Sequence, residues 1–324
     1  MMNKLAKCML MGAVFAAQLA VSNASAQEYP NDTIRMIVPY SAGGGTDTIA
    51  RSLAAQMEKI AGHPVIVENV PGAGGAVGYK KMVNSPADGY TVLLATTGDL
   101  TAQIATQSNA NIDLDKASCA GAVYETPVWM LSHVDNGFSD LGAFFERAKE
   151  KPGQLIVGIT ARNGLTDFAA RIVEQAGDVD FRIVPFGNGA DLAKAIQANQ
   201  IQAGIIVSPV LLNEVQAGKL NVLVAGASLA SISDEALRNT KTFKDWGSKY
   251  GSSVFRGVML PADTADDVRA KLESITMEAS KAQGFQDFGK TFGFAPSWTD
   301  GETFCSDLKQ EVETFKDVAA ETKG

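Results

Sequence analysis

Ile34-Arg-Met-Ile-Val-Pro-Tyr-Ser-Ala-Gly-Gly-Gly-Thr-Asp-Thr-Ile-Ala-Arg51 is the stretch on which the fold turns. Its first seven residues are a short apolar, β-branched run, the pattern of a strand covered on both faces. Ser41 to Asp47 follows with three consecutive glycines, and from Thr48 to Lys59 a helix is predicted, with Ile49, Leu53, Met57 and Ile60 at helical spacing. Strand, glycine loop and helix make the opening unit of an α/β fold. Gly43, Gly44 and Gly45 remove side chains where backbone approaches a ligand, and they permit left-handed dihedrals. Thr46 or Asp47 is expected to cap the helix.

The same phrase returns. Gln154 to Gly158 leads into Ile159-Thr-Ala-Arg-Asn-Gly-Leu-Thr-Asp167 and then a helical pattern through Phe168, Ile172 and Val173. Ala42 matches Ala161, Gly45 matches Gly164, Thr46-Asp47 matches Thr166-Asp167 and Ala50-Arg51 matches Ala170-Arg171, with Leu165 read as an insertion. Thr166 or Asp167 is the corresponding expected cap. A second unit repeats too: Val70-Pro-Gly-Ala-Gly-Gly-Ala76 parallels Val184-Pro-Phe-Gly-Asn-Gly-Ala190, each between a β-branched run and a helical stretch. A further apolar strand closes each half, at 89–95 and 203–207. Alternation of this kind predicts a parallel or mostly parallel sheet with helices on both faces.

The rest of the chain completes the outline. Ala122 to Val134 reads as a strand carrying the chain from one lobe to the other, and 220–227 as the return. Phe255 to Pro261 is another strand, and Thr264–Ala282 and Thr303–Ala320 are amphipathic helices. The predicted first lobe is 27–126 plus 230–324 and the second 127–229. A double crossing makes a hinge, and a hinge between similar lobes makes a cleft.

Composition narrows the function. The chain has 324 residues, 46% of them hydrophobic and 20% charged. That exceeds the size of one core and, at a mean hydropathy of +0.02, excludes a polytopic membrane protein or a disordered chain. A net charge of −8 argues against nucleic acid as a partner, since counterion release needs a basic surface. Residues 1–26 read as a cleaved export leader: Lys4 and Lys7, an apolar run from Met9 to about Val21, then the small residues Ala24-Ser-Ala26. Removing them takes away two lysines and no acid, so the mature charge is −10. The expected location is the periplasm. There Cys119 and Cys305 are expected as two separate buried thiols, one disulfide between them being the alternative.

Ligands of open α/β sheets sit at the carboxyl ends of strands, beside helix N-termini whose unpaired N–H groups suit anions. Gly72, Gly74 and Gly75 offer a second loop of this kind, answered by Gly187 and Gly189. Four such loops facing one cleft hold a carboxylate without cationic side chains. Asp47 and Asp167 read as caps, and Arg162 as a cationic clamp or a solvated loop residue. His63 and His133 read as structural; Trp129, Phe186 and Phe255 as core or cleft wall. With two histidines and three cysteines, no metal site is expected. Catalytic signatures are missing: there is no Gly-x-Ser-x-Gly elbow, no His-Glu-x-x-His, and no Lys after the last glycine of the loop. Gly72 to Gly78 mimics a dinucleotide fingerprint with one residue too many, and no cofactor is expected.

Ile37 to Arg51 resembles the opening signature of Bug-type solute-binding receptors, the extracytoplasmic proteins of tripartite tricarboxylate transporters. Val65-Ile-Val-Glu-Asn-Val-Pro-Gly-Ala-Gly-Gly75 and Ala87-Asp-Gly-Tyr-Thr-Val-Leu-Leu94 are similar to the next two blocks, and Arg256-Gly-Val-Met-Leu-Pro261 resembles a late strand block. The resemblance implies a two-lobed, type II periplasmic-binding-protein fold that takes a small carboxylate and works, as a monomer, with membrane subunits. It implies ligand contacts from Ser41, Ala42, Gly43, Thr46, Gly72, Ala73 and Gly74 in the first lobe. Thr160, Ala161, Asn163, Thr166, Val207 and Ser208 oppose them. Tyr40, Gly44, Asp47, Thr97, Arg162 and Phe186 complete the candidate set. The sequence departs from the family at Ile159–Gly164, commonly Ser/Gly-rich, and at Asn239–Phe243, where a Pro-Thr pair is common. The ligand is left open among di- or tricarboxylates, amino-acid-like acids and aromatic acids. The reading is a non-enzymatic transport receptor; an exported enzyme acting on a carboxylate and a receptor feeding a signalling system are the alternatives.

Overall fold

The computed structural model describes residues 29–106, 112–207, 211–226, 237, 239–249, 251–292, 294 and 296–321. The expected leader at 1–26 and Ser208 lie outside these residues.

The quoted stretch folds as strand β1 (Ile34–Val38) and helix α1 (Gly45–Ala61). In β1 only Arg35 is exposed, as expected of a parallel strand covered on both faces. Pro39, with no N–H to continue the ladder, follows its last residue. Helix α1 buries Ile49, Ala50, Leu53, Ala54 and Met57, and ends at Gly62, whose φ of 72° lets its N–H reach the Glu58 carbonyl. Then come β2 (Val65–Asn69), α2 (Ala76–Val83), β3 (Thr91–Thr96), α3 (Asp99–Thr106) and the long β4 (Ala117–His133). The second half runs α4 (Leu141–Glu150), β5 (Ile156–Ile159), α5 (Leu165–Gly177), β6 (Arg182–Pro185), α6 (Gly189–Gln197) and β7 (Ala203–Val207). The chain finishes with α7 (Leu212–Gln216), β8 (Leu220–Ala225), β9 (Ser253–Pro261), α8 (Asp266–Lys281), α9 (Gln283–Phe292), β10 (Pro296–Thr299) and α10 (Gly301–Glu321).

The repeat is visible in the topology. β1 lies between β2 and β3, parallel to both, and β5 lies between β6 and β7, parallel to both. The two sheets share β4. Its first part, Ala117 to Pro127, pairs antiparallel with β9, and its second, Val128 to His133, pairs with β7 and β8. One strand thus runs through both lobes of a two-lobed, type II-like α/β fold. β8 stays beside the second part of β4 instead of crossing. The handover comes after it, where Gly226 N donates to the Val128 carbonyl and Ser252 N to the Gly226 carbonyl.

The last helix departs from the prediction. Phe304 and Leu308 pack with Ile37, Tyr79 and Met259 in the first lobe, whereas Phe315 and Val318 join Val157, Phe168 and Ile172 in the second. The Phe168 and Phe315 rings stack with centroids 4.4 Å apart. The apolar stripe of α10 is long enough to serve both cores, which amphipathic spacing alone does not reveal.

Cys119 and Cys305 also differ from expectation. Cys119 on β4 and Cys305 on α10 are bonded, with their Cα atoms 5.8 Å apart. The reason is placement: α10 lies across β4 and brings residues 186 positions apart into bridging range. Closing so long a loop restricts the unfolded chain, so Cys305→Ser is expected to cost about 2–5 kcal/mol. Denaturant melts of the oxidised protein, the reduced protein and the variant check this; the last two should coincide.

Candidate functional site

The loop between β1 and α1 is built around Asp47. This residue is buried, and its Oδ2 accepts the Gly43 N–H at 2.9 Å. Its Oδ1 accepts from Asn69 Nδ2 at 2.9 Å, and Arg51 one helical turn on pairs with it at 2.9 Å. Asn69 also donates to the Tyr40 carbonyl at 3.0 Å and accepts from Arg51 at 3.1 Å. Gly43 takes a φ of 81°, the left-handed turn that points the loop back at its own aspartate.

The loop between β5 and α5 repeats the central contacts of the first, with Arg162 on the Asp167 Oδ1 where Asn69 sits on that of Asp47. Asp167 is buried, accepts the Asn163 N–H at 2.8 Å and pairs with Arg171 at 3.5 Å, again one helical turn on. Asn163 supplies the positive φ at 55°, a conformation Asn tolerates better than most side chains. Gly44 and Gly164 are the N-caps, both extended and both without a side-chain cap bond. The equivalent residues therefore differ by 120 positions throughout. The expected insertion at Leu165 disappears, and Gly164 answers Gly44, not Gly45. The expected capping role is also corrected. Asp47 and Asp167 sit inside the first turn and reach back past the N-cap, and among the described residues neither N-cap glycine is joined by a side-chain cap bond.

The remaining candidates take these places. Ser41, Ala42, Gly43 and Gly44 are exposed, and Thr46 is buried beneath them. Gly72, Ala73 and Gly74 all have positive φ and form the neighbouring turn, which rests on the first loop because Gly75 and Gly78 press on Pro39. Across the gap, Thr160 N donates to Thr166 Oγ1 at 3.0 Å, which closes the second loop around exposed Ala161. Phe186 is half-buried behind it, its N–H on the Ile159 carbonyl, and half-buried Val207 ends β7. The loop at Gly187 differs from its first-lobe counterpart, since Asn188 caps α6 by accepting the Asp191 N–H at 2.9 Å.

Three candidates are engaged elsewhere. Asp47 organises its loop. The Arg162 guanidinium is held by Asp167 and the Ile183 carbonyl, so it is not a free clamp. Thr97 exchanges bonds with Phe255, backbone to backbone and through its hydroxyl, and faces a cavity of about 500 Å³ beneath β9 and α10.

Asp99, absent from the sequence-based set, joins the two loops. Its Oδ2 accepts the Tyr40 hydroxyl at 3.2 Å, and its Oδ1 lies 4.0 Å from where a Cβ on Gly164 would sit. Next to it Gly98 packs on Leu165. The surrounding protein raises the Asp99 carboxyl above the ordinary range, opposed by the Tyr40 hydroxyl and the Arg256 charge. Burial and Asp99 together keep the Tyr40 phenol protonated. Behind this loop Glu311 of α10 accepts from Thr101 Oγ1 at 2.7 Å and Gly98 N at 3.2 Å, and burial pushes it up to about 7. The arrangement offers two exposed loops at helix N-termini whose own aspartates are already paired, which suits a small anion.

Hydrogen bonding from Arg51 above all, opposed by burial and aided by the Gly43 amide, holds Asp47 down at about 2. The ionised form is favoured in the folded state, so its stabilisation is present above the ordinary carboxylate value and lost as pH falls toward about 2. Asp47→Asn is expected to cost about 1–3 kcal/mol at neutral pH. Its urea midpoint should also fall less steeply than that of the wild type between about pH 4 and pH 2.

Comparison with known proteins agrees with this architecture. Residues 49–321 match the family model of the tripartite tricarboxylate transporter family receptor. A UPF0065 protein of Bordetella pertussis is 29% identical over 285 residues, covering 88% of this chain and 87% of its own. A TctC solute-binding protein from Polaromonas superposes with a TM-score of 0.82 at 25% identity, over 90% of this chain and 99% of the other. MatC from Rhodopseudomonas palustris, solved with bound malate, superposes with a TM-score of 0.68 at 22% identity, over 90% and 99%. The model match extends from α1 into α10, through both lobes, and on that ground the chain belongs to the tripartite tricarboxylate transporter receptor family.

Proposed function

We propose that this protein captures a small organic carboxylate between its lobes and delivers it, unchanged, to the membrane subunits of a tripartite transporter. The observation that supports the reading is the pair of helix N-termini at Gly44 and Gly164, neither with a side-chain cap and each set by a buried aspartate, with Asp99 against Tyr40 of one loop and Gly164 of the other. One carboxylate is held by the loops at Ser41–Thr46 and Gly72–Gly74, and Thr160, Ala161, Asn163 and Thr166 meet it when the lobes close, with Phe186 and Val207 as the wall behind. Malate in a relative of the same fold fits this ligand class. The lobes comprise 27–126 with 230–324, and 127–229, the end of α10 reaching across. Residues 1–26 direct export, and the mature protein works in the periplasm as a monomer.

Contacts made in full only when both lobes touch the ligand drive closure, since a ligand shifts an equilibrium by its differential affinity for the two states. A thermal-shift screen over aliphatic, aromatic and amino-substituted acids is expected to find a stabilising acid. At a hundred times its dissociation constant the gain is about 2.7 kcal/mol. Gly44→Val tests the cradle directly. Gly44 has extended dihedrals and a Cβ there lies 3.4 Å from the Ser41 carbonyl, so the fold tolerates the side chain while the ligand does not. Gly164→Val is expected to act likewise, its Cβ 3.6 Å from the nearest backbone atom. Retained affinity in both folded variants would show that the acid is held elsewhere.

A further inference from the structure

Four arginines stand at or beside the two loops. Arg51, Arg162 and Arg171 are tied to Asp47 or Asp167. Arg256 is not tied. It lies on β9, register-paired with Thr96 at the carboxyl end of β3 and with Tyr124 on β4. Its Nε and Nη1 are buried and have no hydrogen-bond partner among the described residues. The guanidinium carbon rests 5.1 Å from the centre of the Tyr124 ring. The nearby carboxylate of Asp99 takes its hydrogen bond from Tyr40 instead. Arg256 as a whole is half-buried, so the residue is not sealed in the core.

A cation in this position lowers stability unless something completes it, because buried donors without acceptors keep their desolvation cost. The loop amides grip one carboxylate and are indifferent to the rest of the molecule. A guanidinium with unused N–H groups at Nε and Nη1 donates to a carboxylate brought within its reach. We propose that Arg256 is the specificity-determining residue of this cleft: it receives the second acidic group of a ligand whose first is held by the loops, so that the protein prefers dicarboxylic acids to monocarboxylic acids of equal chain length. This rests on the carboxylate-cleft reading above. Stacking on Tyr124 holds the planar group in place before the ligand arrives, which reduces the ordering that binding requires.

The test is calorimetric titration of the mature protein with succinate, glutarate and adipate, each against its matched monoacid, butyrate, pentanoate or hexanoate. In the wild type at least one diacid is expected to bind about tenfold or more tighter than its partner. In Arg256→Gln that ratio should fall to about twofold or less, with the diacid affinity carrying most of the loss. The ligand-free variant should melt no lower than the wild type, a result that a merely structural arginine would not give. An unchanged ratio, or equal losses for diacid and monoacid, overturns the proposal while leaving the cleft reading intact. If no acid binds the wild type, the cleft reading itself falls, and this proposal with it. Should Arg256→Gln fail to fold, Arg256→Lys keeps the charge without the planar set of N–H donors. It is expected to lose most of the diacid preference, and a wild-type ratio in that variant overturns the proposal.

Discussion

A buried carboxylate behind each strand-to-helix loop is the constraint from which the site follows. Asp47 and Asp167 each accept the N–H of the left-handed residue before the N-cap, and each is neutralised by an arginine one turn further along its own helix. With that N–H satisfied from behind, the turn is fixed and the residues outside it stay exposed. The acid that would repel an anion is made electrically quiet by the arrangement that orients the donors. A chain of strongly negative net charge can therefore present two local surfaces suited to anions without a basic patch.

The two loops belong to one machine because the elements behind them are shared. β4 pairs with β9 in one lobe and with β7 and β8 in the other, so the sheets are registered through a single backbone. α10 performs the same service on the outside, and its Glu311 supports the short loop that ends at Asp99. Asp99 is thus reached by Tyr40 from one lobe, approached by Gly164 from the other, and braced by the helix that touches both.

Much of this was legible in the chain. The alternation of β-branched runs with glycine loops yields the strand–helix units, and the two repeats yield the matching sheet orders. Arg51 and Arg171 were already visible as a recurring pair four residues after an aspartate. Other features were hidden for physical reasons. Asn69 sits at the end of a strand where any polar residue reads as solvated, and its role appears only when β2 lies beside β1. Asp99 and Arg256 are far apart in sequence and single charges in otherwise apolar stretches. The disulfide depends on how α10 lies across β4, and amphipathic spacing shows that a helix packs without showing where. The misplaced insertion at Leu165 has a similar origin: glycine was matched to glycine, whereas the backbone equates Gly43 with Asn163.

The flat stack of Phe168 on Phe315 has a mechanical corollary. One end of α10 is sutured to β4 by a covalent bond, so relative travel of the lobes has to be absorbed near the other end. There two rings meet at 9° with 4.4 Å between centroids, a contact that glides within its own plane but resists being wedged apart. A displacement of the lobes along that plane therefore disturbs this contact least, and one perpendicular to it breaks the stack.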